Sequence, residues 1–194
     1  MTEHFRPQMD LDKIERAFGL LIEGIGDDPA RAGLVETPRR AARGLAALLE
    51  GYGQDPRGFY RTFQSSSSGL VLVNDIEFAS VCEHHIMPFY GVISIGYTPS
   101  GRVLGLSKFS RIVDCFSKRL QIQENLVRDI GNSIVENLRP RDLFVVAQAR
   151  HLCMSCRGVS RRRATVATLF TYGKYENTAE ADLLRLASGG PHIS

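Results

Sequence analysis

The segment "SVCEHHIMPFYG" at residues 80–91 combines a cysteine and two adjacent histidines, and these residue types can bind a metal or move protons. Cys82 and His85 have the Cys-x-x-His spacing at which a thiolate and an imidazole from one turn reach the same zinc ion. Two ligands do not complete a site. The segment therefore predicts half of a metal centre, and the other half must come from a distant part of the chain.

The segment "RHLCMSCRG" at residues 150–158 offers the missing ligands, because it contains Cys153 and Cys156. If both bind together with the first pair, the zinc is closed and structural. If only Cys153 binds, the fourth position is left for water and the metal can do chemistry. An apolar strand precedes this segment, and under strand geometry His151 and Cys153 point together while Cys156 points away. That parity favours the open site, unless a turn begins at Met154.

An open metal site needs groups that carry protons to and from the reacting atoms, and histidine is the side chain best suited to this near neutral pH. His84 lies beside one presumed ligand and His151 lies two residues before another. We interpret both as candidate acid/base residues.

Basic and polar residues elsewhere are candidates for substrate contacts. Ser107 begins a predicted helix in "LSKFSR", and Lys108 and Arg111 fall in its first turn, where backbone N–H groups and cations together favour an anion such as phosphate. Arg157 follows the cysteine pair and is a second phosphate candidate. The alternative for such cations is a solvated surface pair.

The segment "QIQENL" carries Gln123 and Glu124 near a predicted break between two helices. Exposed residues of these types usually only contact water. If the break faces a pocket, a carboxylate accepts two donors from a base such as guanine, and a glutamine completes that edge.

Composition restricts the class of protein. The chain has 194 residues, 43% of them apolar, and a formal net charge of +3. Such mild charge gives nucleic-acid binding no strong support, and the sequence has no apolar run that could cross a bilayer. Four cysteines are too few for a disulfide scaffold, and the N-terminus carries charges where an export signal needs an apolar stretch. We expect a cytoplasmic protein.

The elements that position these residues follow from hydrophobic periodicity. The pattern predicts helices from Leu11 and from Thr37, followed by a polar break at 64–69. Strands are predicted at 70–78, 91–97 and 102–106, with Gly91–Leu106 as a hairpin. Two helices then cover 107–139, and a second strand pair covers 143–149 and 165–172. The predicted division is a helical segment at 1–65 and a catalytic domain at 66–194.

Four motifs in this order, "CEHHIMPFYG", "GLSKFSRIVD", "RLQIQE" and "HLCMSCRGV", together resemble GTP cyclohydrolase I, the enzyme that opens the path to folate and biopterin. The upstream "GDDPARAGLVETPRRAA" is similar to the N-terminal helical motif of that family. The likeness extends from about Leu11 to Tyr172.

The resemblance implies an α+β tunnelling fold, in which two strand pairs flank two helices, with a helical N-terminal extension. It also implies a homodecamer of two pentamers around a β-barrel, with active sites at subunit interfaces. By the same resemblance three groups of residues acquire roles: zinc ligands, acid/base histidines and substrate contacts. The matching residues are Cys82, His85 and Cys153 for zinc, His84 and His151 for proton transfer, and Gln123, Glu124, Ser107, Lys108, Arg111, Arg157 and a neighbouring subunit's Arg40 for GTP.

The implied reaction converts GTP and water to 7,8-dihydroneopterin triphosphate and formate. Water adds at C8, the imidazole ring opens, formate leaves, and the rearranged ribose recloses onto the exposed amine. Two alternatives remain from the sequence: a paralogue that stops at ring opening or uses another purine triphosphate, and a non-catalytic module with a structural zinc.

Overall fold

The computed structural model describes residues 9–158 and 160–188, and its core is a five-stranded sheet with helices packed on it. The helices, in chain order, are α1 Leu11–Gly24, α2 Thr37–Leu48, α3 Leu106–Ser117, α4 Gln123–Leu138, the single turn α5 Leu152–Ser155, and α6 Glu180–Ser188. The strands are β1 Thr62–Gln64, β2 Val71–Cys82, β3 Met87–Thr98, β4 Arg102–Leu104, β5 Leu120–Gln121, β6 Asp142–His151 and β7 Val166–Tyr172. The fold is therefore mixed α+β.

The main sheet has the order β5-β2-β3-β6-β7, and all its pairs are antiparallel except the short β2–β5 pair. Side chains alternate between its two faces, as strand geometry requires. One face carries Ile93, Ile95 and Val145 into a core shared with α3 and α4. The other face carries Phe144 and Val146 into a smaller cluster with α6. Both faces of the central strands are thus buried.

The first two helices form as expected, and each residue pattern has a physical cause. Asp10 caps α1 by accepting a hydrogen bond from the Lys13 N–H, and Pro38 occupies the first turn of α2, where its missing N–H costs nothing.

The predicted hairpin Gly91–Leu106 is wrong. β3 instead pairs with β2 and β6, while β4 pairs with β1. Strand partners are set by non-local packing, which a turn-like "TPSG" does not reveal.

The real hairpin joins β2 to β3, and its turn is residues 83–86. Cys82 pairs with Met87, and the Ile86 N–H donates to the Cys82 carbonyl at 2.9 Å. Ile86 has φ of 50°, a left-handed conformation that β-branched residues rarely adopt. The histidine-bearing motif of the sequence is therefore a constrained hairpin turn at one end of the sheet.

Along the chain, no helix among residues 9–158 and 160–188 is both long enough and apolar enough to cross a bilayer.

Candidate metal centre and active site

Two chain segments meet at the sheet end that carries the β2–β3 turn. Phe89, near the start of β3, lies opposite His151, the last residue of β6. The chain then turns directly into α5, which contains Cys153. Antiparallel register therefore brings residues about seventy positions apart in sequence to the same edge.

The ligand atoms of Cys82, His85 and Cys153 lie within 4.8 Å of one another. Cys82 is buried, Cys153 is half-buried and His85 is exposed, so the group opens toward solvent on the histidine side. Around a tetrahedral zinc such atoms lie roughly 3.5–3.8 Å apart, so closing on a metal needs a shift of about 1 Å. Two thiols and one imidazole are also the donors that zinc prefers. The three residues fit a zinc ion.

Cys156 is exposed and lies outside this group. The sequence argument for that outcome was wrong in its premise, because the strand ends at His151 and residues 152–155 form a helical turn. Cys153 and His151 are therefore not strand neighbours on one face. Residues three apart in a helical turn lie on one face, so the turn does not explain why Cys156 is outside the group, and its exposure is what distinguishes it.

Burial raises the pKa of the Cys153 thiol, and the neighbouring Cys82 raises it further, while the Arg157 guanidinium opposes the shift. A nearby negative charge disfavours the thiolate form of Cys153. A divalent ion held by the two sulfurs would remove that penalty, because a coordinating thiol binds as the thiolate. The pair is therefore suited to a bound cation.

His84 lies in the same turn and is exposed. Its Nδ1 is 4.0 Å from the Cys82 sulfur, and the Nδ1 of His85 is 3.9 Å from the same atom. The two imidazoles meet edge-on with centroids 6.2 Å apart. Both imidazoles therefore lie near the Cys82 sulfur, but only His85 has a ring nitrogen grouped with the sulfurs of both Cys82 and Cys153.

His151 is held more firmly than either turn histidine. Its ring stacks on Phe89 at a centroid distance of 4.6 Å and an interplanar angle of 4°. Its Nε2 is 2.8 Å from the side-chain oxygen of Gln123. Burial lowers the pKa of His151, and the nearby Glu124 carboxylate partly offsets this. A neutral imidazole of fixed orientation, two residues before Cys153, is well suited to exchange protons.

Gln123 and Glu124 begin α4 but differ in exposure. Gln123 is 1% exposed and its amide bonds to His151 and to the sheet, whereas Glu124 is exposed and near enough to act on His151 electrostatically. Arg157 is exposed and close enough to influence Cys153. The structure thus brings Gln123, Glu124 and Arg157 to the same end of the sheet as the three ligands.

The remaining candidates lie elsewhere in the chain. Helix α3 begins after Gly105, and Ser107 is inside its first turn rather than capping it. Phe109 of α3 packs on Tyr97, with ring centroids 5.6 Å apart. Tyr97 lies ten residues after Met87 in β3, and Met87 pairs with Cys82. Ten residues of a β-strand span about 33 Å.

Ser107, Lys108 and Arg111 therefore occupy the far end of the sheet from Cys82. Arg40 is exposed on α2 and donates to the Thr37 hydroxyl at 3.2 Å. Within one chain the three α3 residues are therefore not gathered at Cys82, His85 and Cys153.

Phe89 is the residue that sequence reasoning missed. It is fully buried and provides the surface on which His151 stacks. The signal was present in "MPFYG" as an aromatic residue two positions into a strand. Its opposition to His151, however, depends on a strand register that the sequence does not show.

Known proteins are similar to this chain over most of its length. The family model described as GTP cyclohydrolase I matches residues 14–187. A protein of Chromohalobacter salexigens named GTP cyclohydrolase 1 is 43% identical over 173 residues, which cover 87% of this chain and 94% of that protein. A Bacillus mycoides protein of the same name is 43% identical over 176 residues, covering 90% of this chain and 93% of the relative.

A solved structure, the crystal structure of the archaeosine synthase QueF-Like in the apo form, shares 22% identity with a TM-score of 0.44 over 56% of this chain and 97% of that chain. That likeness is too slight to bear on fold or function. The family match extends over most of the chain, and the curated relatives are matched over nearly their whole length. The chain therefore belongs to the GTP cyclohydrolase I family and is an enzyme of that family.

Proposed function

We propose that this enzyme is a zinc-dependent GTP cyclohydrolase I that converts GTP and water to 7,8-dihydroneopterin triphosphate and formate. The observation that carries the proposal is the group formed by Cys82, His85 and Cys153, with ligand atoms within 4.8 Å of one another, beside two further histidines. A metal site with three ligands and adjacent proton-transfer groups is the arrangement that hydrolytic zinc chemistry needs.

In this proposal Cys82, His85 and Cys153 hold the zinc. When bound, zinc would supply Lewis-acid activation of the water that adds to C8 of GTP. Cys156 stays outside the set, which leaves room for water.

Proton transfer is assigned to His84 and His151. As water adds to C8, one histidine accepts a proton and a histidine returns one to a ring nitrogen as each C8–N bond breaks. His151 is supported in this role by its stacking on Phe89 and by its lowered pKa, which keeps the imidazole neutral and able to accept a proton at pH 7.

The guanine edge is assigned to Glu124, whose exposed carboxylate can accept two N–H donors. Gln123 was expected beside it. Since the Gln123 side chain is buried and already hydrogen-bonded, it contributes to that edge through its backbone N–H at the start of α4.

The triphosphate is assigned to Arg157 of the same chain and to Ser107, Lys108 and Arg111 of a neighbouring copy, with a neighbouring Arg40. The length of β3 between Met87, which pairs with Cys82, and Tyr97, on which Phe109 packs, is about 33 Å and supports this division, since one nucleotide cannot reach along the whole strand.

Sheet edges support an oligomeric barrel of the tunnelling-fold type. Among the described residues, β2 pairs on its outer side with β5 at Val81 and Cys82 alone, and β7 pairs only with β6. Long unpaired edges invite a strand from another chain. A decamer of two pentamers, a cytoplasmic location and the division at residue 65 stay predictions.

The test is to incubate the purified protein, loaded with zinc, with GTP and to identify the products. We expect formate together with a pterin that becomes fluorescent after oxidation. Formate without pterin would indicate a paralogue that stops at ring opening. If GTP is not consumed, the metal is structural rather than catalytic and the proposal is wrong.

His84→Ala and His151→Ala test the assigned proton-transfer roles in the same assay. Each should keep its zinc while turnover falls by about 10²-fold or more, the usual contribution of a general acid or base. Full activity in both variants would remove the assigned proton-transfer roles.

A further inference from the structure

Gln123 is a polar side chain in an unusual place. It opens α4, yet it is only 1% exposed and lies against the β6 and β7 strands. Its amide nitrogen donates to the Ala147 carbonyl at 3.1 Å, to the Val166 carbonyl at 3.0 Å and to the Thr168 hydroxyl at 3.1 Å. The two amide hydrogens are therefore used inside the protein.

These partners fix which way the amide faces. The carbonyls of Ala147 and Val166 can only accept hydrogen bonds, so the nitrogen of Gln123 must point at them. A flipped amide would set its oxygen against two carbonyl oxygens and leave buried polar groups unpaired, at a cost of roughly 1–3 kcal/mol each. The oxygen of Gln123 consequently faces His151.

The amide oxygen in turn decides where His151 carries its proton. It lies 2.8 Å from the His151 Nε2 and can only accept. The Nε2 must therefore be protonated and donate, so in the neutral ring Nδ1 is the nitrogen with the free lone pair. Stacking on Phe89 holds the plane of the ring, and the hydrogen bond fixes its rotation within that plane.

We infer that Gln123 is a positioning residue, whose side chain holds His151 as the Nε2–H tautomer so that Nδ1 exchanges protons with the substrate. The inference deepens the proposed function and rests on it for the role of His151. It differs from the expectation that the Gln123 side chain reads guanine, because that side chain is buried, both its amide hydrogens are used, and its oxygen already accepts from His151.

The tautomer is measured directly by solid-state ¹⁵N NMR of the zinc-loaded, full-length protein labelled at histidine. His151→Asn identifies the His151 signals by their loss. We expect wild-type His151 to show a protonated Nε2 and an unprotonated Nδ1. The opposite tautomer in the wild type overturns the inference without the need for any variant.

Two variants then assign the effect to Gln123. Gln123→Met keeps the side-chain volume but removes the acceptor, and we expect His151 to lose its single tautomer. Thr168→Val removes one partner of the amide nitrogen, leaves both carbonyls, and should leave the tautomer unchanged. An unaltered His151 signal in Gln123→Met overturns the inference.

Kinetics with GTP separate positioning from guanine recognition. A positioning role predicts that Gln123→Met lowers kcat about tenfold or more and leaves KM within about twofold, since a transition-state contribution is lost. A rise in KM at constant kcat would mean that the side chain binds substrate, and would overturn the inference. The spectra decide the tautomer even for a protein that leaves GTP unchanged, so failure here is distinguishable from failure of the proposed function.

Discussion

At the scale of single residues, the cysteines differ in burial and in whether they join the candidate metal site. Cys82 is buried and grouped with Cys153 and His85, whereas Cys156 is exposed and outside the group. Cys82→Ser should therefore lose both zinc and turnover, because serine is a poor zinc ligand. Cys156→Ser, the matched control three residues from a ligand, should keep both. Zinc per chain measured by plasma mass spectrometry checks this, and equal zinc content in the two variants would contradict the assigned ligand set.

At the scale of elements, helix α4 packs so closely on β7 that one glycine is required. A Cβ at Gly131 would overlap the Phe170 ring, whereas a Cβ at Gly44, inside α2, would meet nothing within 4 Å. Gly131→Ala should lower the free energy of unfolding by about 1–3 kcal/mol, the usual cost of overpacking. Gly44→Ala should instead raise it by about 0.5–1 kcal/mol, since alanine favours a helix interior. Urea unfolding of both variants measures the difference, and a stabilised Gly131→Ala would show that the α4–β7 contact is looser than described.

At the scale of the whole molecule, the separation of α3 from the metal ligands predicts sites that are shared between copies. A His84→Ala chain and a Lys108→Ala/Arg111→Ala chain should each be inactive alone. Co-expressed with different tags and purified through both, they should recover activity at about a quarter of the sites, those that take an intact half from each chain. Light scattering of the same sample gives the size of the assembly. Mixed assemblies with no recovered activity would mean that each chain works alone.

Much of the fold was predictable because helices and strands leave local patterns. The apolar periods gave α1 and α2 and the strands on both sides of the central helices. What failed was pairing and one strand end: β4 joins β1 rather than β3, and residues 152–155 form a helical turn where strand geometry was assumed. Pairing and strand ends depend on residues distant in sequence, which no local window contains.

The grouping of Cys82, His85 and Cys153 was predictable from side-chain chemistry, since a thiolate and an imidazole at Cys-x-x-His spacing can reach one metal ion and the chain has few other cysteines. The role of Gln123 was not. The sequence placed it beside Glu124 as a candidate for guanine, while the structure buries it against β6 and β7 with its amide on His151.

By itself the sequence determined which atoms could bind a metal or move a proton, because that chemistry belongs to the side chain. Only the tertiary structure decided which of them meet. Strand register sets Phe89 against His151, Cys156 is exposed outside the group that contains Cys153, and the length of β3 separates Lys108 from Cys82. Each of these relations depends on how strands pair and pack, and pairing joins residues that are far apart in the chain.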